Sequence, residues 1–174
     1  MLDKDFFDKL RKLVTEKVVD EIKKFVPHYP QQKAITEGLK HFKDNDRGKL
    51  ILPCGTGKTL AALWLTEEIG AKKILVMVSS LSLMRQTLKE WIEQSKDKFR
   101  YFCLCSDETV DESNKYDSIR QKVSDVDFKV DTDPKLVSDF LKVETDAKTV
   151  LFCTYQSSKV LTKVTLKTDT KFDF

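Results

Sequence analysis

The sequence has little of what several classes of protein require. No apolar run is long enough to cross a bilayer, so no helical membrane span is expected. The first residues, with Asp3, Lys4 and Asp5 among them, show no signal-peptide pattern. Both absences predict an intracellular protein with no membrane partner. Histidine is limited to His28 and His41, and no two of the cysteines Cys54, Cys103, Cys105 and Cys153 form a Cys-x-x-Cys pair. That supply does not furnish the usual zinc ligand sets. Cys103, Cys105 and Cys153 fall in apolar, strand-like runs, where a reduced, buried thiol is expected. No internal repeat and no low-complexity linker is present. The formal net charge of +3 is, by itself, a weak pointer to nucleic acid.

What is there is a chain of 174 residues with 40% hydrophobic content, which suits one domain with its own core. Residues 3–26 read as an amphipathic helix: Phe6, Leu10, Leu13, Val14, Val18, Ile22 and Phe25 recur at helical spacing between Lys, Asp and Glu. Pro27 and Pro30 end it. A second helix is expected from about Gln31 to Phe42, followed by a turn at residues 44–48. Strands and helices then alternate. Leu50–Pro53 reads as a short strand, Lys58–Ile69 as a helix closed by Gly70, and Ile74–Val78 as a strand buried on both faces. Leu81–Gln94 reads as a helix, and Tyr101–Cys105 and Thr149–Cys153 as further strands. The alternation predicts an α/β fold, a parallel sheet with helices on both faces. Between the last two strands, Ser106–Lys148 reads as a polar surface excursion. A short helix within it starts at Pro134 with Asp133 as its N-cap.

The chemistry concentrates in ILPCGTGKTL, Ile51 to Leu60. Gly57-Lys58-Thr59 match the second half of the P-loop pattern, while Leu52 stands at the position of its first glycine. Gly55 and Gly57 let the main chain turn successive N–H groups onto one phosphate. The following helix N-terminus adds partial positive charge. Lys58 is placed to reach the β- and γ-phosphates, and the Thr59 hydroxyl to ligate Mg²⁺. The stretch Pro53, Cys54, Gly55, Thr56, Gly57, Lys58, Thr59 and Leu60 is therefore expected to hold the phosphates of a nucleotide with Mg²⁺, with Lys58 and Thr59 as the catalytic pair. The plainer alternative is a turn before a helix that happens to contain Gly-Lys-Thr. The combination of strand, spaced glycines, Lys-Thr and amphipathic helix favours the cradle.

LPCGTGKT, Leu52 to Thr59, resembles motif I of the superfamily 2 helicases and translocases, the DEAD/DEAH and restriction-type group. Upstream, YPQQKAI (Tyr29–Ile35) is similar to the Tyr-Gln-x-x-Ala-Ile element of these proteins. The resemblance implies that Gln31 reads the adenine edge, with Tyr29, His28 or Phe25 as the stacking partner. Downstream, ILVMVSSLSLMRQTLKEW (Ile74–Trp91) resembles motif Ia. Ser80, Leu83 and Gln86 match it, and Ser79 replaces a proline. TVLFCTYQSSKVL (Thr149–Leu161) resembles the Ser-Thr-Tyr-Gln-Ser segment. These matches imply that Ser80, Arg85, Gln86 and Thr154 track a nucleic-acid backbone, DNA in preference to RNA. A helix start rich in serine suits a phosphate in any case, though Ser80 also reads simply as a helix cap.

The resemblance runs from about Tyr29 to Phe174. It implies a partial RecA-like ATP-binding domain over residues 28–174, preceded by an accessory helix over 1–27. One motif of the family is absent. No apolar run ends in the Asp-Glu of motif II, and KFDF (Lys171–Phe174) resembles only its lead-in. Asp173 precedes its strand and is expected at the wrong end of the sheet. The implied function is the N-terminal ATP-binding fragment of an ATP-dependent helicase or translocase. Its partners are DNA or RNA and the remaining helicase domains or a partner chain. Alone, it is not expected to hydrolyse ATP at a helicase-like rate. The alternative is a catalytically inactive relative that binds nucleotide, nucleic acid or a partner protein. A small-molecule P-loop kinase ranks last, because neither an acidic base shortly after the loop nor an arginine-rich lid is apparent.

Overall fold

The computed structural model describes residues 23–105 and 130–174. Along the chain come α1 (Tyr29–His41), α2 (Lys58–Ile69), β1 (Lys73–Val78), α3 (Leu81–Gln94), β2 (Phe99–Leu104), β3 (Val130–Asp131), α4 (Pro134–Lys142), β4 (Lys148–Thr154), a 3₁₀ turn (Tyr155–Ser157) and α5 (Ser158–Thr168). The four strands form one sheet in the order β1-β4-β2-β3, and every pairing is parallel.

Period-two alternation in β4 divides the core. Val150 and Phe152 face one side with Ile74, Val78 and Cys103, packed under Leu63 of α2 and Met84, Leu88 and Trp91 of α3. Leu151 and Cys153 face the other side with Leu104, under Val137 and Leu141 of α4 and Leu161 and Val164 of α5. Helices thus cover both faces, which is why β4, at the centre, is buried along nearly its whole length. A smaller cluster joins Ile35 of α1 to Trp64 and Leu65 of α2.

The helix ends follow their local chemistry. Gly70 closes α2 in the left-handed region at φ 75°. Asp133 caps α4, its carboxylate accepting from Lys135 N at 2.8 Å. Glu67, near the end of α2, has a side chain only 3% exposed and clasps three elements. Its Oε1 accepts from Ser95 Oγ at 2.9 Å and Lys96 N at 2.8 Å. It also lies 3.5 Å from Lys148 Nζ at the start of β4.

Two expected elements are different. Lys23–His28 is not helical. Its main chain is instead tied to the end of α3: Phe25 N donates to Gln94 Oε1 at 2.7 Å, and Gln94 Nε2 donates to Lys23 O at 3.3 Å. The Lys24 ammonium donates to Glu93 O at 2.7 Å and Ser95 O at 2.9 Å. The rest of the expected first helix, and most of the polar excursion, lies outside the described residues. Leu50–Pro53 is not a strand either. A strand requires a ladder, and β1, the edge strand of the sheet, does not pair with it. Ile51 is 87% exposed as a result.

The β1 edge is met instead by the last residues of the chain. Asp173 N donates to Lys73 O and Leu75 N to Phe174 O, both at 2.8 Å. The Asp173 carboxylate accepts from Lys72 N and Lys73 N, each at 2.8 Å. Asp173 therefore sits at the amino end of β1, away from the carboxyl edge where ligands of parallel α/β sheets bind.

All four cysteines are free thiols. Cys103, Cys105 and Cys153 are buried and Cys54 is exposed. Burial pushes the Cys103 and Cys153 thiols up to about 12, with nearby Cys105 adding to the shift. No described helix is long and apolar enough to cross a membrane. Among the described residues, no cluster of His, Cys, Asp and Glu is placed to hold a metal ion by itself.

Candidate nucleotide site

The loop ahead of α2 is built around its two glycines. Gly55 has φ 74° and Gly57 has φ 69°, a region that side chains other than glycine's enter at a cost of about 1–2 kcal/mol. Gly57 is also the N-cap of α2, where no side chain caps the helix. The first intrahelical bond is Ala61 N to Gly57 O at 3.0 Å. The N–H groups of Lys58, Thr59 and Leu60 thus precede the ladder, as the first donors of any helix do. No acidic residue lies in that first turn to compete for them. The arrangement is a set of convergent donors at a positive helix end, which is what a phosphate requires.

Lys58 folds back over the loop, its ammonium donating to Pro53 O at 2.7 Å. Thr56 Oγ1 donates to the same carbonyl at 2.7 Å and draws the loop into a tight turn. Behind the loop, Trp91 of α3 donates from Nε1 to Thr59 O at 3.1 Å. Its ring packs edge-on to Phe152, with centroids 5.7 Å apart. The start of α2 is thereby fixed to the core, a support that the motif itself does not announce.

Gln31 joins this site from α1. It is 6% exposed. Its Oε1 accepts from His28 N at 2.8 Å, and its Nε2 donates to Thr56 O at 2.9 Å. The contact with Gly57 is so close that a Cβ there would lie 2.5 Å from Gln31 Nε2. Glycine at position 57 thus serves two constraints, the backbone conformation and the approach of Gln31. The amide oxygen keeps one acceptor site, since a carbonyl oxygen accepts twice, while Nε2 also approaches Gly57 O at 3.5 Å.

Gln31, Gly55, Thr56, Gly57 and Leu60 line one cavity of about 400 Å³ with Phe25, Val26, His28, Pro30 and Trp64. Its wall is apolar on one side and lined by loop amides on the other, the mixture that a base and a phosphate demand. Of the three stacking candidates, Phe25 and His28 line it. Tyr29 does not, and its side chain stands 75% exposed. It belongs to the first turn of α1, which presents Gln31 inward and Tyr29 outward. Pro53 and Cys54 are exposed at the loop's outer side.

The donor set fits a nucleoside polyphosphate. Thr59, half-buried at the second position of α2, is the residue that would offer a hydroxyl to Mg²⁺. Among the described residues, no carboxylate lines the cavity.

The expected nucleic-acid residues are only partly grouped. Ser80 caps α3, with its Oγ accepting from Leu83 N at 3.2 Å. Arg85 and Gln86 follow within the first turns of the same helix, and Gln86 Nε2 donates to Glu90 Oε1 at 2.8 Å. Thr154 is fully buried, its hydroxyl 3.0 Å from Ser157 Oγ. It shapes the turn after β4, and its hydroxyl is turned into the fold. The exposed side chains at that turn are Tyr155 and Gln156.

Known proteins bear on this geometry. No curated protein sequence matches the chain. Among solved structures, the ATP-dependent Type ISP restriction-modification enzyme LlaBIII bound to DNA is similar over 87% of this chain, with 29% identity and a TM-score of 0.73. A nuclease-deletion mutant of the Type ISP enzyme LlaGI, in complex with a DNA substrate mimic, is similar over 87% at 30% identity, with a TM-score of 0.67. The chain spans only 10% and 15% of the length of those two proteins. The fold is thus the RecA-like α/β fold expected from the sequence, present in part, and it corresponds to the N-terminal part of a helicase domain. Residues 24–173 match the model of the type III restriction enzyme res subunit, and the chain belongs to that helicase-type family.

Proposed function

We propose that this chain is the ATP-binding, N-terminal part of a first helicase motor domain that acts on DNA. The observation that carries the proposal is the junction of Gln31, Gly57 and the open start of α2. One cavity joins an apolar wall, a buried amide and an uncapped helix N-terminus. In this reading the base enters between Phe25 and the loop, and Gln31 meets its polar edge. The phosphates take the N–H groups of residues 55–60. The Lys58 ammonium exchanges the Pro53 carbonyl for phosphate oxygens, a stronger charge-assisted bond. Magnesium, when bound, neutralises phosphate charge, and Thr59 is the residue positioned to hold it. The start of α3, with Ser80, Arg85 and Gln86, is assigned to the DNA backbone. The two similar enzymes are both described with DNA, and one as ATP-dependent, which supports that assignment. Calorimetry with Mg-ATP tests the proposal. Binding by the wild type and its loss in Lys58→Ala are expected, and equal affinities would refute the cradle.

A second reading, a partner-binding module without catalysis, draws on a different feature. Among the described residues, β1 is an edge strand bonded to the chain's last residues only at Lys73 and Leu75, and Ile51 is 87% exposed. An added strand suits the first and an apolar cover the second. Remaining motor domains or a separate chain could supply both, so this reading completes the first one as readily as it replaces it.

A further inference from the structure

The phosphate loop and the turn after it are tied down through their carbonyl oxygens. Pro53 O accepts from Thr56 Oγ1 and from Lys58 Nζ, each at 2.7 Å. Thr56 O accepts from Gln31 Nε2 at 2.9 Å. Thr59 O, in the first turn of α2, accepts from Trp91 Nε1 at 3.1 Å. Lys58, Thr59 and Gln31 have roles in the nucleotide reading. Trp91, on α3, has none.

The geometry points to Trp91 as a positioning residue of the candidate nucleotide site, a role that rests on the nucleotide reading above. It keeps the first turn of α2 formed and so aims the Thr59 hydroxyl at Mg²⁺. Helix ends fray, and a side-chain cap is the usual remedy. Among the described residues, no side chain caps α2, and its first turn holds no acidic residue. A cap would occupy N–H groups that a phosphate needs. An indole avoids this conflict, because it donates and cannot accept. It ties the turn from the carbonyl side and leaves the N–H groups of Lys58, Thr59 and Leu60 to a ligand. The donor is also rigid. Trp91 is 2% exposed, and its ring packs edge-on to Phe152 and Phe99, with centroids 5.7 and 6.5 Å away. Phe152 belongs to the central strand β4, so the turn is referred to the core of the sheet. Thr59 O serves the helix ladder as well, in which a carbonyl accepts from the N–H four residues on, here that of Leu63. A carbonyl oxygen accepts twice. The indole therefore adds a bond without displacing one, and the two together fix the peptide plane that follows Thr59.

Replacing Trp91 by 3-benzothienylalanine tests the role. Sulfur takes the place of the N–H and the bicyclic ring is kept, so the donor alone is lost. Two readouts on the full chain are compared with the wild type. Without nucleotide, amide exchange at Ala61, Ala62 and Leu63 is expected to rise about two- to tenfold, the worth of one hydrogen bond, while β4 amides are unchanged. Unchanged exchange at residues 61–63, or a rise spread equally over β4, would overturn the inference. With nucleotide, calorimetry compares Mg-ATP with ATP in EDTA. The affinity for Mg-ATP is expected to fall about two- to tenfold further than that for ATP alone, because only the former uses the Thr59 hydroxyl. Equal losses, or none, would overturn the inference and leave the cradle standing. Failure of the wild type to bind Mg-ATP would overturn the nucleotide reading itself, and this role with it. 7-Azatryptophan at position 91 keeps the donor and should give wild-type values in both readouts. Losses there equal to those of the sulfur analogue would trace the effect to ring packing and overturn the inference.

Discussion

Replacing Gly57 by alanine perturbs two constraints whose contributions can be separated. The residue sits at φ 69°, and the new Cβ would lie 2.5 Å from Gln31 Nε2. The left-handed backbone costs about 1–2 kcal/mol for an L side chain. Pushing the Gln31 amide away breaks its 2.9 Å bond to Thr56 O, a loss of about 0.5–1.5 kcal/mol net. Gly57→Ala is therefore expected to destabilise the chain by about 1.5–3.5 kcal/mol in sum. In a Gln31→Ala background the steric conflict is already gone, and only the backbone cost of about 1–2 kcal/mol remains. The double-mutant cycle should then show a coupling of about 0.5–1.5 kcal/mol. Urea unfolding monitored by circular dichroism reads this directly. With a slope of about 1–3 kcal/mol per molar urea, the midpoint of Gly57→Ala should fall by roughly 1 M. Additivity of the two substitutions to within about 0.3 kcal/mol would refute the claim that Gln31 and Gly57 are in contact.

Three further outcomes are expected. Glu67→Ala removes the acceptor of Ser95 and Lys96 and leaves Lys148, only 13% exposed, without its partner. A loss of about 2–4 kcal/mol in thermal or chemical unfolding is expected, and a loss below about 0.5 kcal/mol would show that the clasp is not formed in solution. The native protein should react with a thiol reagent at Cys54 alone, and the buried cysteines should react only on unfolding. Because burial raises Cys103 and Cys153 from 9.0 to about 12, their contribution to stability is full below pH 9 and is lost as pH rises toward 12. A stability flat across that alkaline range would count against this burial. DNA affinity should fall steeply with salt, and Arg85→Ala should reduce the slope of log K against log salt by about one. An unaltered slope would place the DNA track elsewhere.

Much of this structure was legible because its signals are local. The α2 and α3 spans coincide with those read from the sequence, since Gly70 and Ser80 are strong boundary residues. The apolar runs of β1 and β4 reflect burial on two faces. Pairing, by contrast, is non-local. Leu50–Pro53 has the composition of a strand but no neighbour to form a ladder with, and β3, a two-residue strand, is defined only by its bonds to β2. Helix α5 is rich in threonine and lysine, so its narrow apolar face, Leu161 and Val164, was not seen in advance. At the site, the motif identified the phosphate loop and its likeness to helicases pointed to Gln31. It could not reveal that the Gln31 amide is already bonded to Thr56 O, that Trp91 anchors Thr59, or that Thr154 is spent inside its own turn. Those facts depend on which side chains the fold brings together. Tyr29 lies outside the cavity for a related reason: a side chain two positions from Gln31 on a helix faces a different way.

The central claim is that residues 55–60, with Gln31, hold a nucleoside triphosphate. Titration of ¹⁵N-labelled protein with Mg-ATP, followed by amide correlation spectra, tests it most directly. The account predicts that shifts concentrate at the main-chain amides of Gly55, Gly57, Lys58, Thr59 and Leu60 and at the Gln31 side-chain NH₂, and vanish in Lys58→Ala. Saturating Mg-ATP that leaves those amides unmoved, or moves a different set equally in wild type and variant, would contradict it.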